Sequence, residues 1–272
     1  MKSNDYDQYL KGSLLKTSES EKYLKPGTVY YNGKYLKKLL SSLVDNKCLN
    51  KYLNELSENS QGVKMCSIGS SSRLCYLASF SERFHFNEYE KTDIKNDCCR
   101  PHYDGYDENS HTFYEFKCHE LCDGYSHYKL SDSYKGLLKS YYGIEDAKPS
   151  DLKFSHFGIS NNKFKDKSIY KINFDFKQFL CHVFGILAST SRENKASLKY
   201  VWVVPSLSYS EVSNFVANIK EEINELFECF KKTEINFDDQ RLAIEDLIDI
   251  RPIEIVEITE IKDFLLESLD EM

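Results

Sequence analysis

The stretch His111-Thr-Phe-Tyr-Glu-Phe-Lys-Cys118 decides how this chain is read. Side chains alternate faces along a strand, so Glu115 and Lys117 share one face while Tyr114 and Phe116 share the other. A carboxylate and an ammonium then stand side by side. Just upstream, Asp107-Glu108-Asn109-Ser110 is a polar turn, and residues 102–106 form another short strand-like run. Two such runs about a polar turn predict a hairpin. Asp104 lies on the first strand with ten residues between it and Glu115. A hairpin of that length brings Asp104 beside Glu115.

Two acids and a lysine so placed suit hydrolysis of a phosphodiester. Carboxylate oxygens hold a hard divalent cation that keeps several waters and takes a phosphate oxygen. Such a cation lowers the pKa of a bound water and neutralises charge that builds on phosphorus. A nearby lysine orients or deprotonates the attacking water and adds positive charge at the scissile phosphate.

The arrangement resembles the PD-(D/E)xK nuclease superfamily, the restriction-endonuclease-like fold, and bacterial type II restriction endonucleases within it. Matched residue by residue, Asp104 takes the first acid of the motif, Glu115 the second and Lys117 the lysine. Pro101 lies three residues before Asp104 instead of directly before it. Members commonly carry an acid on an upstream helix, a place filled here by Glu88 and Glu90 in Phe86-Asn-Glu-Tyr-Glu-Lys-Thr92. The sequence leaves open which of the two faces the metal. Downstream, residues 174–186 (FDFKQFLCHVFGI) look like the helix that follows the core motif in some bacterial members, where a Gln and a His project from one side. Gln178 and His182 match them. The resemblance covers residues 66–205 and implies Mg²⁺, with Mn²⁺ able to substitute, held by Asp104, Glu115 and Glu88. It also implies double-stranded DNA as substrate, a homodimer, and functional pairing with a DNA methyltransferase.

Working outward, apolar residues at helical spacing predict two helices over residues 35–56 and one from Ser70–Ser72 towards Phe84. Residues 131–142 predict a short amphipathic helix. Phe176, Phe179, Leu180, Val183, Phe184 and Leu187 form the stripe of a stronger one, with Gln178 and His182 opposite it. Tyr200-Val-Trp-Val-Val204 is continuously apolar and stopped by Pro205, as expected of a strand buried on both faces. A long helix follows, opened by a capping box from Ser208 to Glu211. One more β-rich run, Ile253–Ile258, precedes a last helix. The expected fold class is α/β: a restriction-endonuclease-like core with a central mixed sheet flanked by helices, plus extra N- and C-terminal helices. Residues 1–65 are read as an N-terminal helical region packed on the core. Residues 66–272 are read as the core with an acidic C-terminal helical region, the whole forming one compact domain.

Several residues have plainer readings. Glu115 and Lys117 could form a solvent-facing pair with Asp104 in a turn. Gln178 and His182 could be a polar helix face. Ser70–Ser72 follow Gly69 without any nucleophile or phosphate-loop motif, and serve best as a helix cap. Cys98, Cys99, His102, Cys118, His119 and Cys122 offer soft ligands for zinc, but their spacing lacks paired CxxC knuckles. Buried cysteines without a ligand role are the expectation there.

Composition bounds the rest. The chain has 272 residues, 41% hydrophobic and 29% charged, which is ordinary for a globular protein. Nine cysteines at irregular spacing argue against a disulfide framework and for a reducing compartment, hence the cytoplasm. The opening residues carry mixed charge and no apolar run, so no signal peptide is read. No apolar run approaches the roughly 18 residues of a spanning helix. Net charge is −7, yet residues 220–272 hold 17 acidic against 6 basic residues. The body before them is mildly basic and so permits a DNA-binding face. Two alternatives to a restriction enzyme stand beside it: a repair or phage-defence nuclease, and a non-catalytic DNA-binding module.

Overall fold

Two buried strands, at 112–117 and 196–204, form the frame on which the other elements pack. The computed structural model describes residues 1–14, 71–78, 84, 101, 103–118, 121–122, 134–145, 148, 151–189 and 194–261. In chain order these contain α1 (Ser3–Leu14), α2 (Ser71–Ala78), β1 (Gly105–Asp107), β2 (Thr112–Lys117), α3 (Lys135–Tyr142), a 3-10 turn (Phe154–Phe157) and α4 (Phe176–Ser189). Then come β3 (Ala196–Val204), α5 (Ser210–Lys231), β4 (Glu234–Phe237), β5 (Gln240–Ala243), α6 (Ile244–Leu247), β6 (Ile248–Ile250) and β7 (Glu254–Glu257).

The central sheet is mixed. β1 pairs antiparallel with β2, and β2 pairs parallel with β3. The far side of β3 is shared: β6 runs parallel along Ala196–Leu198 and β7 along Val201–Val204. Pro252 lies in the break between β6 and β7. Proline lacks the N–H a ladder needs, so it belongs at such a break. The fold is therefore α/β with a mixed central sheet flanked by helices.

Register sorts the faces. Glu115 lies beside Tyr200 and Lys117 beside Trp202, so these four share one face. α4 and α5 cover that face, with Tyr200 packed on Phe179 and Phe227, and Trp202 on Phe215. Tyr6 of α1 stacks on Trp202, and its hydroxyl donates to the Val203 carbonyl at 2.9 Å. On the opposite face, Phe84 meets Tyr114 and Phe116. Each well-placed aromatic pair adds about 0.5–1.5 kcal/mol beyond the area it buries.

Several expectations change here. α5 starts at Ser210 with Tyr209 as its N-cap and no side-chain cap bond, so no Ser208–Glu211 capping box forms. The Ser208 hydroxyl pairs instead with Ser206 Oγ at 2.9 Å. The acidic C-terminal region, expected helical, is largely β over 234–257. Ile235 and Phe237 alternate inward, and Asp238 and Asp239 turn the hairpin at φ of 48° and 62°. The strand expected at 200–204 begins at Ala196. The helices expected over 35–56 fall outside the described residues. Among the described residues, no helix is long and apolar enough to cross a membrane.

Candidate active site

Asp104 sits one residue before β1, half-buried. Its backbone N–H donates to the Tyr114 carbonyl at 3.0 Å, and its Oδ2 accepts the Phe116 N–H at 2.7 Å. Extending the Gly105–Tyr114 register by one step sets Asp104 opposite Glu115. The hairpin therefore brings the first acid to the middle of β2, as its length predicts.

The approach to Asp104 is held by α4. A Cβ on Gly185 would lie 2.3 Å from Pro101 Cγ and 2.7 Å from the Tyr103 hydroxyl. Only a residue without a side chain lets α4 come that close. Tyr103 then donates its hydroxyl to the His182 carbonyl at 2.6 Å, which ties the segment before Asp104 to the helix.

Glu115 and Lys117 project towards α4, as alternation requires. Lys117 Nζ lies 2.6 Å from Glu115 Oε1, and both residues are buried. They are therefore no solvent-facing pair. Gln178 of α4 bridges them: its Oε1 accepts from Lys117 Nζ at 2.7 Å and its Nε2 donates to Glu115 Oε1 at 2.9 Å. The Gln178 backbone N–H donates to Asp175 Oδ1, which fixes the start of the helix. A buried ion pair is tolerated where further hydrogen bonds saturate it, and Gln178 supplies them.

His182 lies one helical turn further on. It is 1% exposed, facing the sheet, and so is no part of a solvated helix face. Most of α4 is buried on every side, so the side opposite its stripe is core as well. His182 Nδ1 is 3.0 Å from the Tyr200 hydroxyl, and its Nε2 is 3.7 Å from Glu115 Oε2. That Glu115 oxygen is buried without a hydrogen-bond partner. Burial, and then the Glu115 charge, hold the Tyr200 phenol well above the usual tyrosine range, so it stays neutral. The sequence reading missed Tyr200 and Tyr103. The signal was present: a tyrosine inside a strand buried on both faces needs a partner for its hydroxyl.

Glu88 and Glu90 fall outside the described residues, as do Ser70, Cys98, Cys99, His102 and His119. Cys118 is buried and its carbonyl accepts from Trp202 Nε1 at 2.9 Å. Cys122 is buried as well. Among the described residues, no three or more His, Cys, Asp or Glu side chains are grouped to hold a metal ion. What Asp104 and Glu115 offer is hard oxygen, including one buried oxygen on Glu115 with no hydrogen-bond partner. Such a pair suits a cation that keeps most of its waters, as Mg²⁺ does. A cavity of about 620 Å³ lies elsewhere, between α1 and the start of α5, lined by Asp5, Tyr9, Glu211 and Phe215 among others.

Compared with known proteins, the chain matches no family model, no curated protein and no solved structure.

Proposed function

We propose that the chain is a metal-dependent endonuclease of double-stranded DNA, built on a restriction-endonuclease-like core and acting as a type II restriction enzyme. The observation that carries the reading is the joining of Asp104, Glu115 and Lys117 about one point of β2, with Gln178 locking the last two. The strand order supports it: a hairpin bearing the acids and lysine, then two helices, then a parallel neighbour strand.

Asp104 and Glu115 would hold Mg²⁺, or Mn²⁺ in its place, with Glu88 or Glu90 as a further ligand. The ion supplies an acidified water and charge neutralisation at phosphorus. Lys117 is paired with Glu115 and aimed by Gln178. From there it orients the attacking water and adds positive charge at the phosphate. Gln178 and Glu115 share the lysine, so its position does not depend on substrate. Covering by α4 and α5 excludes bulk water and strengthens each of these electrostatic contacts. A palindromic DNA site would be met by a homodimer, because one centre cuts one strand. The reading implies functional pairing with a DNA methyltransferase and a cytoplasmic location.

Binding and cleavage separate the roles. Glu115→Gln should lose Mg²⁺-dependent cleavage by several orders of magnitude while DNA affinity in EDTA stays level or rises, since a charge facing phosphate is gone. Lys117→Met should lose cleavage and also weaken binding. Anisotropy in EDTA and cleavage in Mg²⁺ read both. Neither property moving in either variant would remove these residues from the site.

A further inference from the structure

Behind the Glu115–Lys117 pair lies a buried relay that the proposed chemistry leaves unused. We infer that His182 and Tyr200 are positioning residues for Glu115: the Tyr200 hydroxyl donates to His182 Nδ1, which puts the ring proton on Nε2 and aims it at the Glu115 oxygen that Lys117 and Gln178 leave uncovered.

The ring is held in one orientation. Tyr103 lies against it at 4.7 Å between centroids and also bonds the His182 carbonyl. Tyr200 is walled in by Phe174, Phe179 and Phe227, with ring centroids 5.3 to 6.0 Å away. His182 Nδ1 therefore faces the hydroxyl at 3.0 Å, and Nε2 faces Glu115 Oε2.

Orientation then selects the tautomer. With the proton on Nδ1, the Nε2 lone pair would point at an anionic oxygen inside the core. With Nδ1 bare, Tyr200 donates to it and Nε2–H meets the carboxylate. Burial keeps the phenol protonated, so its hydrogen is always there to give. The present 3.7 Å separation exceeds a hydrogen bond. The terminal torsion of a glutamate is soft, so rotation of Glu115 shortens the gap while Oε1 shifts against Lys117 and Gln178. An unpartnered buried carboxylate oxygen supplies the drive.

The arrangement pins one end of the carboxylate from each side: Lys117 and Gln178 at Oε1, His182 at Oε2. Each oxygen carries two lone pairs, so an Nε2–H on Oε2 leaves the other for a cation. Fixing a ligand in this way is what partners behind a metal site do, and losing one commonly costs about tenfold to a hundredfold in metal affinity. That consequence rests on Glu115 being a cation ligand, whereas the tautomer does not.

Two measurements on the full chain test the inference. Nitrogen-15 imidazole spectra recorded without metal should show His182, identified by its loss in His182→Gln, protonated on Nε2 and accepting at Nδ1. Tyr200→Phe keeps the packed ring and should turn that single pattern into a mixture. Mn²⁺ titration followed by paramagnetic resonance should show affinity reduced about tenfold or more in Tyr200→Phe and His182→Leu, but changed less than about threefold in His182→Gln, whose amide keeps a donor at the ε position. An Nδ1-protonated ring in the wild type, or a Tyr200→Phe variant with unaltered spectrum and affinity, would overturn the inference. Glu115→Gln separates it from the function: if that variant binds Mn²⁺ like wild type, the metal-ligand reading fails, and the spectra alone decide the tautomer.

Discussion

Lys117 Nζ lies 2.6 Å from Glu115 Oε1, with the two side chains 6% and 5% exposed. Neighbouring positions of one face of one strand thus carry opposite charges out of water together. An exposed pair of this kind contributes about 0–1 kcal/mol. A buried one behaves differently, because removing either partner strands the other charge. Lys117→Met should therefore destabilise the fold by about 3–5 kcal/mol, and adding Glu115→Leu should recover most of the loss. Urea denaturation of the three chains checks this. A single variant as stable as wild type would mean that the pair is solvated.

Gly185 is where α4 meets the segment leading into Asp104. Gly185→Ala should cost about 1–3 kcal/mol, since the methyl group would overlap Pro101 and the Tyr103 hydroxyl. Gly136, in α3, is the control: a Cβ there meets nothing within 4 Å. Gly136→Ala should stabilise by about 0.5–1 kcal/mol through helix propensity. Thermal melts of both variants should move in opposite directions.

Burial holds the Tyr200 and Tyr142 phenols above the usual tyrosine value of 10.0, with the Glu115 charge adding to the effect at Tyr200. Below that value both states keep the proton and the groups leave stability unchanged. Above it the unfolded chain ionises first and binds fewer protons than the folded one, so stability falls as pH rises from 10. Urea midpoints should drop between pH 9 and about 11, and Tyr200→Phe should shallow the drop. Phenolate absorbance checks the cause: these two tyrosines should ionise only as the chain unfolds.

The sequence carried the centre of the fold well, and for a physical reason. Alternation at 113–117 and the uninterrupted apolar run at 200–204 are patterns that few arrangements other than a buried sheet can satisfy. Asp104, Glu115, Lys117 and Gln178 were legible because a strand and a helix fix which positions share a face. His182 was misread because the stripe of α4 was taken as its buried side, whereas nearly the whole helix is enclosed. α1 falls within the helical region read over residues 1–65, but its own bounds were not legible because its buried face is thin: Tyr6, Leu10 and Ser13 in an otherwise polar stretch. The β4–β5 hairpin was missed because Asp238-Asp239 lacks the glycine that usually marks such a turn. β6 has three residues, too few to show a period.

Asp104, Glu115 and Lys117 are proposed to form one metal-dependent phosphodiester-cleaving centre. Asp104→Asn tests it most directly, since the amide oxygen can still accept the Phe116 N–H and so preserve the hairpin. The measurement is cleavage of a broad panel of double-stranded plasmid and phage DNA with Mg²⁺, with Mn²⁺ and with EDTA. Wild type should cut with either metal and not in EDTA, and Asp104→Asn should cut slower by several orders of magnitude. A wild-type chain that cuts no DNA with either metal, or an Asp104→Asn variant that cuts as fast as wild type, would contradict it.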